Sequence, residues 1–198
     1  MRSKNAIAVL EMSKPLTGDL AESPEAELEK TFMKNSLIHS LDPISNNQSS
    51  ILILGSMLGK TSWENKKYYE FGDNCFWEFI FAITKRKPAR DYEKKKTTLI
   101  ENKIAIWDVL KYCERDTSLD SKIINEVPND FNSFFNDHKN IRVIFFNGTT
   151  ARRFYKKYIG FTSDYMYFLL PSTSSTPGKY VKQKTERLKT WLEIQKYV

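Results

Sequence analysis

ILILGSMLGKTSWENKKYYEFGDNCFW, from Ile51 to Trp77, decides the fold. Ile51–Leu54 is apolar at every position, the pattern of a strand buried on both faces. The run ends in Gly55-Ser56, passes through a polar loop, and closes on Asn74. A helix over 75–85 follows, with Phe76, Trp77, Phe79 and Ile80 as its apolar side. Asn is among the residues that best accept a free helix N–H, so an N-cap is one reading of Asn74. A strand that empties into a loop at its carboxyl end is where open α/β sheets build sites.

Three further runs, at 104–109, 141–146 and 165–170, read as buried strands of the same kind. Helices are expected between and after them, at 91–101, 118–126, 130–137, 149–158 and 181–197. This alternation predicts a three-layer α/β/α sandwich around a central four-stranded parallel sheet. Right-handed crossovers bring the strand carboxyl ends to one edge. Gly55-Ser56, Asp108, Asn147-Gly148 and Pro171-Ser172 then converge there. Residues 1–49 read as an N-terminal tail with a helix beginning at Ser23, and residues 50–198 as the functional domain.

With 198 residues, 40% of them hydrophobic, the chain fits one domain with a sizeable core. Its 31 Lys and Arg outnumber 24 acidic residues, a formal charge of +7 that suits a polyanionic partner. Lys179, Lys182, Lys184, Arg187 and Lys189 cluster directly after LPSTSSTPG, residues 170–178. Cys75 and Cys113 are too few for a disulfide framework or a zinc or iron–sulfur cluster, and point to a reducing compartment. No run approaches the roughly 20 apolar residues of a membrane span, and the N-terminus lacks a signal-peptide apolar region.

Four motifs follow one another in order. They are Tyr68-Tyr69…Asn74-x-Phe76-Trp77; Trp107-Asp108-Val109 with Cys113, Arg115 and Ser118-Leu119-Asp120-Ser121; Asn147-Gly148; and Pro171-Ser172-Thr173-Ser174. Together they resemble the uracil-DNA glycosylase superfamily, and within it the hypoxanthine (deoxyinosine) DNA glycosylase branch. The resemblance runs from Ile51 to about Leu192. It departs at Leu58-Gly59, Phe71-Gly72, Thr117 and Ser175-Thr176. It implies a uracil-DNA-glycosylase-like fold and a monofunctional DNA glycosylase of base excision repair. Such an enzyme flips a deaminated base, hypoxanthine or else uracil, and hydrolyses its N-glycosidic bond. No metal or cofactor is implied. The expected partner is damaged DNA, met by a monomer in the cytoplasm, at the nucleoid if bacterial, or in the nucleus.

The resemblance also implies residue roles. Asn74 is catalytic, holding water against the sugar C1′ carbon. Asp108 reads the base: a carboxylate accepts from the N1–H of hypoxanthine and repels the N1 lone pair of adenine. Asp108 is equally suited to activating water, and its bland alternatives are capping a turn or pairing with Arg115. Tyr69 stacks on the flipped base, or else packs in the core. Ser56, Met57 and Asn147 line the base pocket. Met57 stands where other branches carry a water-activating Asp or Asn, and Leu170 where uracil-excising enzymes carry a His. Ser172, Thr173, Ser174, Gly148, Thr149 and Lys179 meet the DNA backbone, hydroxyls and backbone N–H groups being suited to phosphate. Two other readings stay open: a catalytically inactive glycosylase-fold protein that binds nucleic acid, and a hydrolase of free nucleosides.

Overall fold

Val143–Asn147 sits at the centre of the molecule, and consecutive residues of it face opposite helical layers. The computed structural model describes residues 37–115, 117–176 and 182–198. Its strands are β1 (Leu37–His39), β2 (Ile51–Gly55), β3 (Ile104–Asp108), β4 (Leu110–Glu114), β5 (Ile124–Pro128), β6 (Val143–Asn147) and β7 (Met166–Leu170). Its helices are α1 (Lys60–Asn65), α2 (Phe76–Thr84), α3 (Tyr92–Glu101), α4 (Phe131–Asp137), α5 (Thr149–Tyr158) and α6 (Lys184–Trp191), with a 3₁₀ segment at Leu192–Lys196. The helix expected from Ser23 lies outside the described residues.

The central sheet is parallel, in the order β3-β2-β6-β7. Every residue of β2 and β3 is buried, as their unbroken apolar sequence requires. Phe145 of β6 packs against Tyr197, while the next residue, Phe146, packs against Tyr155 of α5. The pleat thus feeds one aromatic to each layer. On the first side Phe76 and Phe79 of α2 meet Trp191 of α6. On the second side Trp107, Phe131, Phe134 and Tyr155 form one cluster. The chain is therefore a three-layer α/β/α sandwich with a four-stranded parallel sheet.

Three features differ from the sequence reading. The segment 118–126 is not a helix. It forms a 3₁₀ turn at Asp120–Lys122 and then β5, which pairs antiparallel with β4. Ile123, Ile124 and Val127 are β-branched and Pro128 ends the run, so strand chemistry outweighs the capping signal of Ser118. β1 adds to the other edge of β4, giving a second sheet in the order β1-β4-β5. Residues 37–49 join this framework, since Ile44 also bridges to Ile106 of β3. Finally, β7 is an edge strand with Met166, Phe168 and Leu169 exposed and only Leu170 buried.

Trp191 is fully buried, stands edge-on to Phe76, and donates its indole N–H to Pro171 O at 2.8 Å. It couples the first helical layer to the loop after β7. Trp191→Ala removes the packing and leaves a buried carbonyl without its donor. Chemical denaturation should show a loss of about 3–5 kcal/mol.

Candidate active site

The register β2–β3 pairs Gly55 with Asp108, and β6–β7 pairs Asn147 with Leu170. Four strands thus end on one line, and a cleft of about 1030 Å³ opens beyond them. That volume takes a nucleotide-sized ligand. Gly55, Tyr69, Asn74, Asp108, Asn147 and Ser172 all line it. Ser56, Met57, Gly148, Thr149, Thr173 and Ser174 do so as well, so the residues expected from the sequence meet in one place. Lys179 lies outside the described residues.

Asp108 is strongly perturbed. It is only 3% exposed. Burial pushes its carboxyl up to about 7, against the opposing pull of the Arg115 guanidinium and the Ser40 hydroxyl. Ser40 Oγ lies 3.3 Å from Oδ2. Oδ1 sits over Gly55, where an added methyl would overlap it and come within 3.1 Å of Tyr69 Oη. Only a glycine admits this close approach of backbone to carboxylate. Arg115 does not bond Asp108; its Nη1 lies 3.5 Å from Asp120 Oδ1. Asp120 in turn accepts Ser56 Oγ at 3.0 Å, so Ser56 is tied to the β4–β5 connection.

Asn74 is half-buried, and its Oδ1 accepts the Phe76 N–H at 3.0 Å. The N-cap residue of α2 is Cys75, so Asn74 stands one residue ahead of the cap and its bond closes a turn into the helix. An amide oxygen has a second lone pair, and Asn74 lines the cleft, so this bond and contact with a ligand are compatible. Tyr69 stacks on Phe76 with ring centroids 3.7 Å apart, which occupies one of its faces. Its φ of 54° is left-handed, an uncommon state for an aromatic residue. The stack and a 3.2 Å bond from Asn147 Nδ2 to its hydroxyl hold it there. Burial and the neighbouring Asp108 keep the Tyr69 phenol well above its ordinary range, hence neutral.

Asn147 acts as a strut. Its Nδ2 also donates to Thr173 Oγ1 at 2.9 Å, and its Oδ1 receives the Thr173 N–H at 2.9 Å. What remains for a ligand is one lone pair of Oδ1. Met57 is buried beside Leu58 and offers only an apolar wall. Gly148, at φ 99°, lets the turn into α5 pass within van der Waals distance of Ser172.

The loop after β7 is held from beneath. Thr173 is fully buried, and its carbonyl accepts the Cys75 N–H at 3.1 Å and the Cys75 thiol at 3.2 Å. Arg187 of α6 donates to Ser172 O and Ser174 O at 2.8 and 2.9 Å. Ser40, Asp120 and Arg187 had no assigned function in the sequence reading. The signal for Asp120 was present, five residues beyond Arg115 in a matched motif. Nothing local marked Ser40 or distinguished Arg187 from the basic residues around it.

A buried carboxylate at the carboxyl edge of a parallel sheet, an amide and a serine-rich loop thus line one cleft. No family model matches the chain. It is 34% identical over 142 residues to a hypoxanthine DNA glycosylase of Methanosarcina acetivorans, covering 71% of this chain and 89% of that one. A second hypoxanthine DNA glycosylase, from Methanosarcina barkeri, is 33% identical over 107 residues, 54% of this chain and 68% of its own. A solution NMR structure from Methanosarcina acetivorans, described as a candidate uracil DNA glycosylase, superposes with a TM-score of 0.69 at 31% identity. It covers 80% of this chain and 96% of that one. The chain belongs to the hypoxanthine DNA glycosylase family, whose members are enzymes that hydrolyse N-glycosidic bonds.

Two outcomes follow from the packing around Asp108. Gly55→Ala must displace the carboxylate or the strand, and should lower stability by about 1–3 kcal/mol in denaturant titration. The folded-state value near 7 lies above the ordinary 3.8, so the folded protein holds this proton more tightly. The associated stability is full below pH 3.8 and is lost as pH rises through about 7. Asp108→Asn should therefore gain stability over the parent chain between pH 5 and pH 8, read as a widening difference in Tm.

Proposed function

We propose that this enzyme is a monofunctional glycosylase that excises hypoxanthine from DNA, with uracil as a lesser substrate. The observation that carries the reading is Asp108 Oδ1, which faces the cleft over Gly55 without a hydrogen-bond partner among the described residues. An ionised Oδ1 accepts the N1–H of hypoxanthine; adenine presents a lone pair there and is repelled. The two relatives named above act, by name, on hypoxanthine, which agrees with this choice.

In this reading DNA docks on Ser172 and Ser174 of the loop and on the Gly148-Thr149 turn; Thr173, expected from the sequence to meet the backbone too, is buried and serves instead as the loop's internal anchor. The target nucleotide rotates into the cleft, where its glycosidic bond becomes accessible. The base lies against the free face of Tyr69, with Ser56, Met57 and Asn147 around it. Asn74 holds a water through the second lone pair of Oδ1, aimed at C1′. The C1′–N9 bond breaks with its electron pair leaving on the base. The water oxygen bonds to C1′, and its proton is taken up by the departing base through solvent. The products are free hypoxanthine and an abasic site. No lysine in the matched motifs is placed for Schiff-base chemistry, so borohydride should trap no covalent adduct. The enzyme works as a monomer, in the cytoplasm or wherever the cell keeps its DNA.

The test uses labelled duplexes carrying one deoxyinosine, one deoxyuridine or neither, with abasic sites then cleaved by alkali. Cutting at inosine above uridine is expected; cutting at uridine alone overturns the substrate. Asn74→Ser keeps a side-chain oxygen for the Phe76 N–H but withdraws the amide from the cleft. Excision should fall at least about a hundredfold while duplex binding survives. Asp108→Asn should change the hypoxanthine-to-uracil ratio. An equal loss on both substrates would instead make Asp108 the base that activates water.

A further inference from the structure

Leu41 O is a crowded acceptor beside the cleft floor. It receives the Tyr68 hydroxyl at 2.8 Å and the Trp107 indole N–H at 3.1 Å. A carbonyl oxygen has two lone pairs, and these two donors fill them. Ser40 Oγ lies 3.1 Å from the same oxygen, 3.5 Å from Tyr68 Oη and 3.3 Å from Asp108 Oδ2. With Leu41 O filled, the Ser40 proton goes to the carboxylate, the charged acceptor and the nearer of the two that remain.

We propose that Ser40 is a positioning residue for base excision: it occupies Oδ2 of Asp108 and so leaves Oδ1 as the single atom that reads the base. The inference rests on the role given to Asp108 above. Ser40 comes from the segment between β1 and β2, outside all four sequence motifs, and nothing in the comparisons assigns it a part. Its support has two layers. Tyr68 and Trp107 compete with Ser40 for Leu41 O, and that competition turns the Ser40 hydroxyl toward Asp108.

The consequence is directional. With one lone pair of Oδ2 accepting from Ser40 and Oδ1 unpartnered among the described residues, a proton that binds Asp108 is favoured on Oδ1. The reading atom then changes from acceptor to donor, and the match to an N1–H is lost. The charged and titratable groups facing Asp108 are Cys113 of β4, Arg115 and Asp120 from the β4–β5 connection, and Tyr68 and Tyr69 from the segment ahead of α2; burial raises the Cys113 thiol, which stays neutral. Arg115 and Ser40 favour the carboxylate, whereas Asp120 opposes it. The two tyrosines stay neutral around neutrality, since burial raises both.

The experiment compares Ser40→Ala, Ser40→Thr and Asp108→Asn with the parent chain. Asp108 is titrated by carboxyl ¹³C NMR, and single-turnover excision of hypoxanthine is followed from pH 5 to 9. Ser40→Ala should raise the NMR midpoint by about half a unit to one unit. The rising limb of the excision profile should move up by the same amount, and excision at pH 7 should fall about two- to fivefold. Ser40→Thr should restore both. An unmoved NMR midpoint in a Ser40→Ala protein of parental Tm overturns the inference. So does a moved midpoint with an unmoved excision profile. If Asp108→Asn keeps the parental pH profile, the role of Asp108 itself falls, and the inference with it. If Asp108→Asn flattens the profile while Ser40→Ala leaves it in place, only Ser40 is overturned.

Discussion

A carboxylate forced against a glycine where two parallel strands end is the constraint on which the site depends. Asp108 cannot ionise easily there, because the sheet below it and the aromatic residues around it exclude water. Its neighbours divide the work of holding it. Gly55 gives the room, Ser40 donates to one oxygen, and Arg115 contributes field without contact. Arg115 is itself buried, with Nε and Nη2 unpartnered among the described residues. A desolvated cation at this distance acts more strongly than it would in water. The second sheet exists in part to carry it, since β4 continues directly from β3 and delivers Arg115 just beyond Glu114.

The opposite wall of the cleft follows a different principle. The loop after β7 is fixed almost wholly through its backbone. Trp191 takes Pro171 O, Arg187 takes the carbonyls of Ser172 and Ser174, and Cys75 takes that of Thr173. Asn147 closes the set by gripping both the N–H and the hydroxyl of Thr173. The carbonyls turn inward to α6 and α2. Part of the remaining polarity is satisfied locally, Ser172 Oγ accepting from Ser174 N and Ser174 Oγ from Thr176 N. The loop thus holds a settled shape, and a ligand that met it would have little ordering to impose.

The central sheet was legible because parallel strands buried on both faces are written as unbroken apolar runs. Ile51–Gly55 and Ile104–Asp108 carry that signature and were read within a residue of their ends. The line of Gly55, Asp108 and Asn147 followed from topology alone. β4 and β5 were not legible. β4 reads LKYCE, with a lysine and a glutamate, and β5 reads INEVP, so neither shows a clean period. Their pairing is irregular in register, and Asn125 takes a left-handed φ of 50°. Ser40 was hidden for another reason. Its importance comes from a hydrogen bond spanning 68 residues, which no local pattern announces. Asn74 shows the limit from the other side: its sequence reads as an N-cap, whereas Cys75 takes that place and Asn74 bonds Phe76 N from one residue ahead, at the edge of the cleft.

That the loop after β7 is gripped by its carbonyls has an evolutionary corollary. Every residue except proline offers the same carbonyl and the same N–H, so the clamp is blind to most side-chain changes at Ser172 and Ser174, whereas Thr173 is buried and gripped through its hydroxyl as well. The instructions for the loop's shape are stored elsewhere, in Arg187 and Trp191. Selection can therefore rewrite the exposed face of this loop one residue at a time without re-solving the fold. The departure from the family pattern at Ser175-Thr176 falls on that exposed face.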